Sequence, residues 1–259
     1  MIKVTILILF CGIMPRVFSQ DILVEPANTG NIITLIKDYD LSDLLHPKGT
    51  DDYLTSYYGV IGDKCRRIQV IYSSVQKTDN PYVYFVEGKS KVGVNVFPFV
   101  GEIVLTTAVK TADEILDDDD AEQMGKVNGL VKGNYFFRET TKEKSTGIFK
   151  GEVELLWGMD QKGNIVSSRA TNYVARPFTV NYLGVWESYN NGNQLTCCWS
   201  DYRIPCVPDD FDLSDGPDII PNEKYSGMGW ENVRILFTRT SDTPEWKKAY
   251  EAESIRWWE

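Results

Sequence analysis

Apolar and polar residues alternate at period two along much of the chain, which is typical of antiparallel strands with one buried face. Short polar turns separate the successive runs, as in a β-meander. In the first half the predicted strands are Ile68 to Tyr72, Tyr82 to Val86, Val92 to Val96 and, after a break at Pro98, Phe99 to Leu105. An earlier β-branched run, Asn31 to Lys37, also predicts a strand, and Leu41 to His46 predicts one helical turn.

The second half repeats this pattern. Its predicted strands are Leu130 to Arg138, Gly147 to Trp157, Asn164 to Arg169, Tyr173 to Val180, and Val233 to Arg239. Pro177 makes the fourth of these an edge strand or a bulge, because proline cannot donate to a ladder. Between the last two, Gly184 to Tyr189 and Gln194 to Trp199 flank an Asn-Asn-Gly-Asn turn and predict a hairpin.

The C-terminal pattern changes from period two to helical spacing. Thr243, Pro244 and Glu245 supply an N-cap, a first-turn proline and a first-turn acid. One face then carries Trp246, Ala249, Tyr250, Glu253 and Trp257. We expect a helix packed on the sheet or barrel, with a partner-binding tail as the alternative.

Together these elements predict an all-β protein, an antiparallel meander of some ten strands forming a barrel or sandwich, with one C-terminal α-helix. The meander has a first half at 20–110 and a second half at 127–259, joined by an acidic segment at 111–126. The like charges of Asp117 to Asp120 favour a mobile loop, because a plain aspartate run lacks the spaced ligands and turn glycine of a calcium loop. One continuous domain from residue 20 is expected, and division into two β domains at the acidic segment is the alternative.

The N-terminal residues resemble a secretory signal peptide covering 1–19. Lys3 gives the positive region, Ile6 to Met14 the apolar region, and Val17 to Ser19 the cleavage site. The apolar run is shorter than the roughly 20 residues of a spanning helix, so a membrane anchor is the weaker reading. A lipoprotein modified at Cys11 is a second alternative. We therefore expect a secreted or periplasmic protein that does not span the membrane.

The charge balance limits the partners. The chain carries a net charge of -10, which becomes -12 once Lys3 and Arg16 are removed with the signal peptide. Binding to nucleic acid or to anionic membrane needs a basic stripe, so both are disfavoured.

The four cysteines after the signal peptide predict a disulfide, because exported proteins meet oxidising conditions. Neighbours on a strand face opposite sides, so Cys197 and Cys198 cannot face the same partner. Cys206 lies eight residues after Cys198, beyond a turn. The predicted bridge is Cys198–Cys206, with Cys197–Cys206 second, and Cys197 would face the core, free or joined to Cys65. Zinc is the competing hypothesis, but the sequence has one histidine and no C-x-x-C pair.

The bridged loop is the candidate recognition surface. The disulfide would hold Asp201, Tyr202 and Arg203 in one conformation. Most of the seven tryptophans are at positions expected to be buried, and Trp199 and Trp230 are the better candidates for exposure as platforms for sugar rings. These five residues form the predicted ligand-binding or partner-binding site. Asp210, Asp212 and Ser214 superficially resemble a calcium loop, but the following glycine falls one position late.

No catalytic motif stands out. The chain lacks a G-x-S-x-G elbow, a P-loop and a dinucleotide glycine pattern. A pair of carboxylates for glycoside cleavage needs no motif, and Glu152, Glu154 and Glu187 are its candidates. We therefore expect a non-enzymatic binding or interaction protein, without a cofactor, whose partner is a protein or a glycan. The alternatives are a barrel-type binder of small molecules or glycans and, less favoured, a glycoside-active enzyme.

Several segments resemble a group of uncharacterised secreted proteins of Bacteroidota. They are Tyr58 to Asp63, Gly88 to Val92, Gly184 to Tyr189, Trp199 to Pro205 and Pro221 to Tyr225. The resemblance spans most of the chain after the signal peptide and implies export and a shared fold. That group usually has one cysteine before the tryptophan of the fourth segment, whereas this chain has two there, and it also has Cys206. The resemblance implies no mechanism.

Overall fold

The computed structural model describes residues 33–46, 56–110, 124–160, 162, 164–167, 179–214 and 219–259. The predicted signal peptide, most of the predicted acidic segment and most of the strand predicted at Tyr173 to Val180 lie outside these residues.

Nine strands are described, and eight of them close into an antiparallel barrel. They are β1 (Tyr57–Ile61), β2 (Arg66–Lys77), β3 (Val83–Val92), β4 (Asn95–Lys110), β5 (Met124–Glu139), β6 (Gly147–Asp160), β7 (Ile165–Ser167), β8 (Val180–Ser188) and β9 (Gln194–Ser200). Strands β1 to β6 pair in chain order, β6 pairs with β8, and β8 pairs with β9. The barrel closes where β9 pairs with β1, and β7 pairs only with one end of β6. The all-β prediction is confirmed as a barrel, and strands from both sides of the acidic segment belong to it.

Large aromatic residues, aliphatic residues and glycines share the inward positions, as expected when a small barrel is filled by side chains. On β5, Tyr135 and Phe137 point inward and are buried, whereas Phe136 between them points outward. A Cβ on Gly184 would lie 2.7 Å from the Tyr135 hydroxyl, so this glycine leaves the room that the tyrosine occupies. Gly184 on β8 and Tyr135 on β5, with β6 between them, thus complement each other in size.

One end of the barrel is closed by the segment 33–46, which we call the plug. It contains a 3-10 turn, Ile33–Leu35, and a single helical turn, α1 (Ser42–Leu45), and it buries Ile36, Leu41 and Leu45. Two inward tyrosines hold its backbone: Tyr57 Oη donates to the Leu45 carbonyl at 2.8 Å, and the Leu41 N–H donates to Tyr84 Oη at 3.1 Å. The predicted helical turn is confirmed. The strand predicted at Asn31 to Lys37 is wrong in its described part, because the chain turns there to cover the barrel end.

The outer wall of β1 and β2 is covered by residues 201–214 and 219–259, which we call the C-terminal module. It contains a 3-10 helix, Glu223–Met228, and the helices α2 (Glu231–Thr238) and α3 (Pro244–Glu253). Its apolar contacts with the barrel form a second core made of Tyr58, Val60, Cys65, Ile204, Phe211, Ile219, Trp230 and Val233. The predicted C-terminal helix is confirmed, with Thr243 Oγ1 accepting from the Trp246 N–H at 3.2 Å.

Two predicted elements differ from the structure, one in its type and one in its end point. The strand predicted at Val233 to Arg239 is wrong, because Val233 and Leu236, three residues apart, are buried on one face of α2. The acidic segment predicted at 111–126 ends earlier, since β5 already begins at Met124. Pro98 lies inside β4 opposite Lys89 and does not interrupt it.

Across the described residues, no helix combines the length and hydrophobicity that crossing a membrane requires.

Candidate functional site

The two tryptophans of the predicted site are buried in different cores. Trp199 points into the barrel and stacks on Tyr182, with ring centroids 5.0 Å apart, and Trp230 lies in the core of the C-terminal module. Trp230 Nε1 donates to the Cys65 carbonyl at 2.8 Å. Neither of these two candidates for exposure is therefore a surface platform for sugar rings. On β9 the outward position next to Trp199 is taken by Cys198, so alternation turns the tryptophan inward.

The disulfide is Cys198–Cys206, with 6.4 Å between the Cα atoms, and this prediction is confirmed. Cys198 lies opposite Val60 on the outer wall, where the C-terminal module begins. Cys197 points into the barrel as a free thiol, and Cys65 is also free and buried. Burial raises the pKa of both thiols, so neither is an activated nucleophile.

Asp201, Tyr202 and Arg203 are brought together directly after β9, and their side chains are half-buried. Asp201 Oδ1 accepts from the N–H groups of Thr179 and Val180 at 2.8 and 3.1 Å, which fixes the start of β8. Arg203 Nη2 donates to the Ser214 carbonyl at 3.0 Å. The side chains of Asp201 and Arg203 therefore form hydrogen bonds with backbone groups of the protein. That this loop binds a partner stays a prediction.

The acids proposed for glycoside cleavage lie on the outer wall. Glu154 pairs with Lys132 at 2.6 Å, and Glu187 pairs with Lys150 at 2.7 Å. Glu152 is exposed on the same strand as Glu154. These carboxylates point to solvent and to lysines of neighbouring strands, and they do not face each other across a cleft.

The aspartates of the calcium-like loop are held by other groups. Asp210 is contacted by Lys224 Nζ and by Tyr225 Oη, and Asp212 Oδ1 accepts from the N–H groups of Ser214 and Ile220. Within the described part of the chain, no three His, Cys, Asp or Glu side chains are grouped so that they could hold a metal ion.

Sequence reasoning missed a group of five inward tyrosines. Tyr57 and Tyr84 bond the plug as described above. The hydroxyl groups of Tyr72, Tyr135 and Tyr182 are fully buried, and those of Tyr72 and Tyr182 contact each other, while the indole N–H of Trp199 contacts Tyr72. The Trp199 indole N–H is buried in the same way. The period-two pattern marks each of these residues as inward, so the signal was present, but one sequence does not show that four strands bring them together.

Burial raises the pKa of these phenols, to about 12 for Tyr84 and well above the ordinary value of 10.0 for Tyr72 and Tyr135. After burial, the neighbouring phenol of Tyr182 is the next contribution for Tyr72. All of them are therefore neutral hydroxyl groups near pH 7, suited to hydrogen bonding rather than to proton transfer.

A buried carboxylate closes the other end of the barrel, where β3 turns into β4. Glu139 accepts from Ser90 Oγ at 2.8 Å, from the Gly147 N–H at 2.7 Å and from Trp186 Nε1 at 3.1 Å. Burial raises its pKa, although these three hydrogen bonds act in the opposite direction. Each donor comes from a different strand, so the carboxylate ties β3, β5, β6 and β8 together.

The outer wall of β3, β4 and β5 carries three exposed apolar side chains, which we call the outer-wall patch: Phe85, Val104 and Phe136. Glu102 lies directly between the two phenylalanines, since it is paired with Phe85 on one side and with Phe136 on the other. Val104 lies one outward position further along β4. The Arg138 guanidinium sits 5.7 Å from the Phe136 ring centroid. The patch therefore combines aromatic, aliphatic and charged groups on one surface.

Comparison with known proteins adds no relative: no family model, no curated protein and no solved structure matches the chain.

Proposed function

We propose that this protein is an exported, non-enzymatic interaction protein that binds a partner protein through its outer-wall patch. The observation that carries the proposal is the contrast between the two outer walls. The apolar groups on the outer side of β1 and in the turn after it are covered by the C-terminal module, whereas the patch on β3, β4 and β5 is exposed within the described residues.

The barrel interior argues against a chamber for a large ligand. Its aromatic rings contact one another with centroid separations such as 5.2 Å for Phe99 with Phe137 and 5.3 Å for Tyr135 with Tyr182. The plug covers one end, and the side chains around Glu139 close the other. Recognition of a macromolecule is therefore assigned to the outside of the barrel.

The chemistry of the patch fits a protein partner. Aromatic residues and arginine are enriched in protein interfaces, and Phe85, Phe136 and Arg138 supply both. The negative net charge of the chain disfavours polyanions. Glu102 within the patch and the adjacent ion pair of Lys150 and Glu187 would orient a partner by charge.

Export rests on the signal-peptide pattern and on the resemblance to secreted proteins of Bacteroidota. The Cys198–Cys206 bond fits an oxidising compartment. We place the protein in the periplasm or outside the cell.

The test is site-specific photo-crosslinking in the native host. A photoreactive phenylalanine analogue replaces Phe136 or, as the control, Val94, which is 94% exposed in the β3–β4 turn. We expect one crosslinked protein from position 136 and none from position 94. A Phe85→Lys and Phe136→Lys double variant should abolish binding of the identified partner, and Val94→Lys should bind like the wild type.

Two results would contradict the proposal. One is equal crosslinking from both positions, and the other is a partner that still binds the double lysine variant with unchanged affinity. Binding of purified glycans that depends on Phe136, with no crosslinked protein, would replace the protein partner by a carbohydrate.

A further inference from the structure

We infer that the outer wall of β2 and β3 carries a docking site for an acidic segment of a partner protein that contains aromatic residues. Residues 254–259, which we call the strap, occupy this site in the chain itself and compete with the partner. The wall beneath the strap, which we call the strip, is formed by Gln69, Ile71, Lys89 and Lys91. The inference rests on the strip and the strap, and it holds whether or not the outer-wall patch binds a partner.

The two lysines of the strip have uncharged neighbours on both sides. Inward and outward positions alternate along β3, and Lys89 and Lys91 take outward ones. Their cross-strand neighbours are Gln69 and Val96 for Lys91, and Ile71 and Pro98 for Lys89. In the described register of β2, β3 and β4, neither amine therefore has a carboxylate directly opposite, and both amines contact the strap.

The strap meets both amines through its two tryptophans. Lys91 Nζ lies 5.6 Å from the centroid of the Trp257 ring, and Lys89 Nζ donates a hydrogen bond to the Trp258 carbonyl. The two indole rings contact each other edge to face, with centroids 5.5 Å apart. A ring face and a carbonyl oxygen carry only partial negative charge. The strap therefore places no full negative charge on either amine through these contacts.

Two acids near the strip are engaged by arginines. Glu253, at the end of α3, forms an ion pair with Arg67 at 2.7 Å, and Glu259 pairs with Arg256 at 3.1 Å. Burial and the charge of Arg67 lower the pKa of Lys91, although Glu253 acts in the opposite direction. The strip thus keeps positive charge in a chain whose net charge is -10. A carboxylate is the group that would complement it.

The strap is held less firmly than the helix before it. The nearly buried pair of Arg67 and Glu253 fixes the end of α3, whereas both tryptophans of the strap are only half-buried and Ile255 is 61% exposed. Contacts between a cation and a ring are weak at partly exposed sites. A segment that places carboxylates on Lys89 and Lys91 would gain charge-assisted hydrogen bonds. Such a segment can displace the strap while α3 stays docked.

The strip and the strap together define the class of partner. Ile71 gives the strip an apolar centre, since it is buried although it points outward. Aromatic rings suit this centre and the faces of the amines, as the tryptophans of the strap do, and aromatic residues are enriched in protein interfaces. An acidic protein segment with neighbouring aromatic residues supplies both the rings and the carboxylates.

The test measures binding of a synthetic peptide to the full-length chain. The probe has the sequence of residues 251–259 and carries a fluorescent label, and anisotropy gives its affinity. A Trp257→Ala and Trp258→Ala variant loosens the strap and should bind the peptide about tenfold more tightly than the wild type, because less of the site is occupied in advance. Adding Lys89→Glu and Lys91→Glu to the loosened variant should abolish binding.

Two controls separate the strip from other surfaces. In the loosened variant, Phe85→Lys with Phe136→Lys changes only the outer-wall patch and should leave the peptide affinity unchanged. A failure of the patch proposal is thereby distinguishable from a failure of this inference. A peptide with Arg256→Glu should bind several-fold more tightly than the natural sequence, and a peptide with Trp257→Ala and Trp258→Ala should not bind. Circular dichroism checks that each protein variant is folded.

Hydrogen–deuterium exchange tests the wild-type chain without any substitution. A large excess of the peptide should speed exchange at residues 255–259 and leave α3 unchanged. Unchanged exchange of the strap, or a folded loosened variant that binds no better than the wild type, would overturn the inference, and so would binding that survives Lys89→Glu and Lys91→Glu. A wild-type dimer that these two substitutions dissociate would assign the strip to a second copy of the chain and overturn the assignment to a different protein.

Discussion

Arg67 and Glu253 are 186 residues apart in the chain and form a two-point ion pair. Arg67 Nη1 lies 2.8 Å from Oε1, and Nη2 lies 2.7 Å from Oε2. Both side chains are nearly buried, at 8% and 7% exposure. The same guanidinium sits 5.4 Å from the Trp230 ring centroid. The last turn of α3 is therefore attached to the outer wall of β2 at a desolvated point, where removal of one partner leaves a buried charge.

Glu253→Ala should lower the free energy of unfolding by about 3–5 kcal/mol, because the guanidinium of Arg67 then stays buried without its counter-ion. Urea denaturation measures the change. Arg67→Met combined with Glu253→Leu should recover much of the loss, since replacing both charges with apolar groups removes the desolvation cost. Arg256→Ala is the control, because Arg256 and Glu259 form an exposed pair of small energetic value. Equal stability of Glu253→Ala and Arg256→Ala would contradict the assignment.

The barrel strands could be predicted because inward and outward positions differ in polarity at period two. Ile68, Val70 and Tyr72 carry that signal on β2, and Phe149, Val153 and Leu155 carry it on β6. The disulfide followed from the same alternation, since Cys197 and Cys198 must face opposite sides. Local pattern alone was sufficient for these features.

Features that depend on distant contacts were not predictable in the same way. Trp199 was a candidate for exposure, but it packs inside against Tyr135 of β5, which is remote in sequence. Val233 to Arg239 is rich enough in β-branched and aromatic residues to suggest a strand, and only its packing on the barrel wall selects the helix. The outer-wall patch likewise requires the register of three strands. Tertiary contacts overrode local preference at each of these places.

The Cys198–Cys206 bond should stabilise the protein by about 2–3 kcal/mol, as expected for a short loop in the chain-entropy estimate. A Cys198→Ser and Cys206→Ser double variant should therefore melt at a lower temperature than the oxidised wild type. Adding a reductant should lower Tm of the wild type and leave the double variant unchanged. Recovery of Cys206 as a free thiol in non-reducing peptide maps of the oxidised protein would contradict the bond.

Gly184→Ala should destabilise the barrel, although alanine is ordinarily tolerated at least as well as glycine in a strand. The new Cβ would lie 2.7 Å from the Tyr135 hydroxyl and 2.8 Å from the Gly151 Cα. Overpacking of this kind costs about 1–3 kcal/mol. Gly227→Ala is the matched control, because nothing lies within 4 Å of its Cβ position. If both variants melt at the wild-type Tm, the strands around Gly184 can move enough to accommodate the added Cβ, which would contradict the prediction.

The buried carboxylate of Glu139 should give the protein a measurable dependence on pH. Burial raises its pKa in the folded state above the ordinary 4.5, despite the hydrogen bonds from Trp186, Ser90 and Gly147. The folded state thus favours the protonated acid. The stability contributed by that protonation is fully present below about pH 4.5 and is lost as the pH rises through the folded-state pKa.

Glu139→Gln removes this titration and leaves the other acids in place. The unfolding free energy of the wild type, measured relative to that of the variant, should therefore decrease as the pH rises from 4 toward 7. The comparison also separates Glu139 from Glu253, whose pKa is lowered because the hydrogen bonds and charge of Arg67 outweigh the effect of burial. The contribution of Glu253 has the opposite sign, present above the ordinary pKa of 4.5 and lost as the pH falls, and it cancels between the two proteins. A difference that stays constant across this range would mean that Glu139 keeps an ordinary pKa inside the barrel.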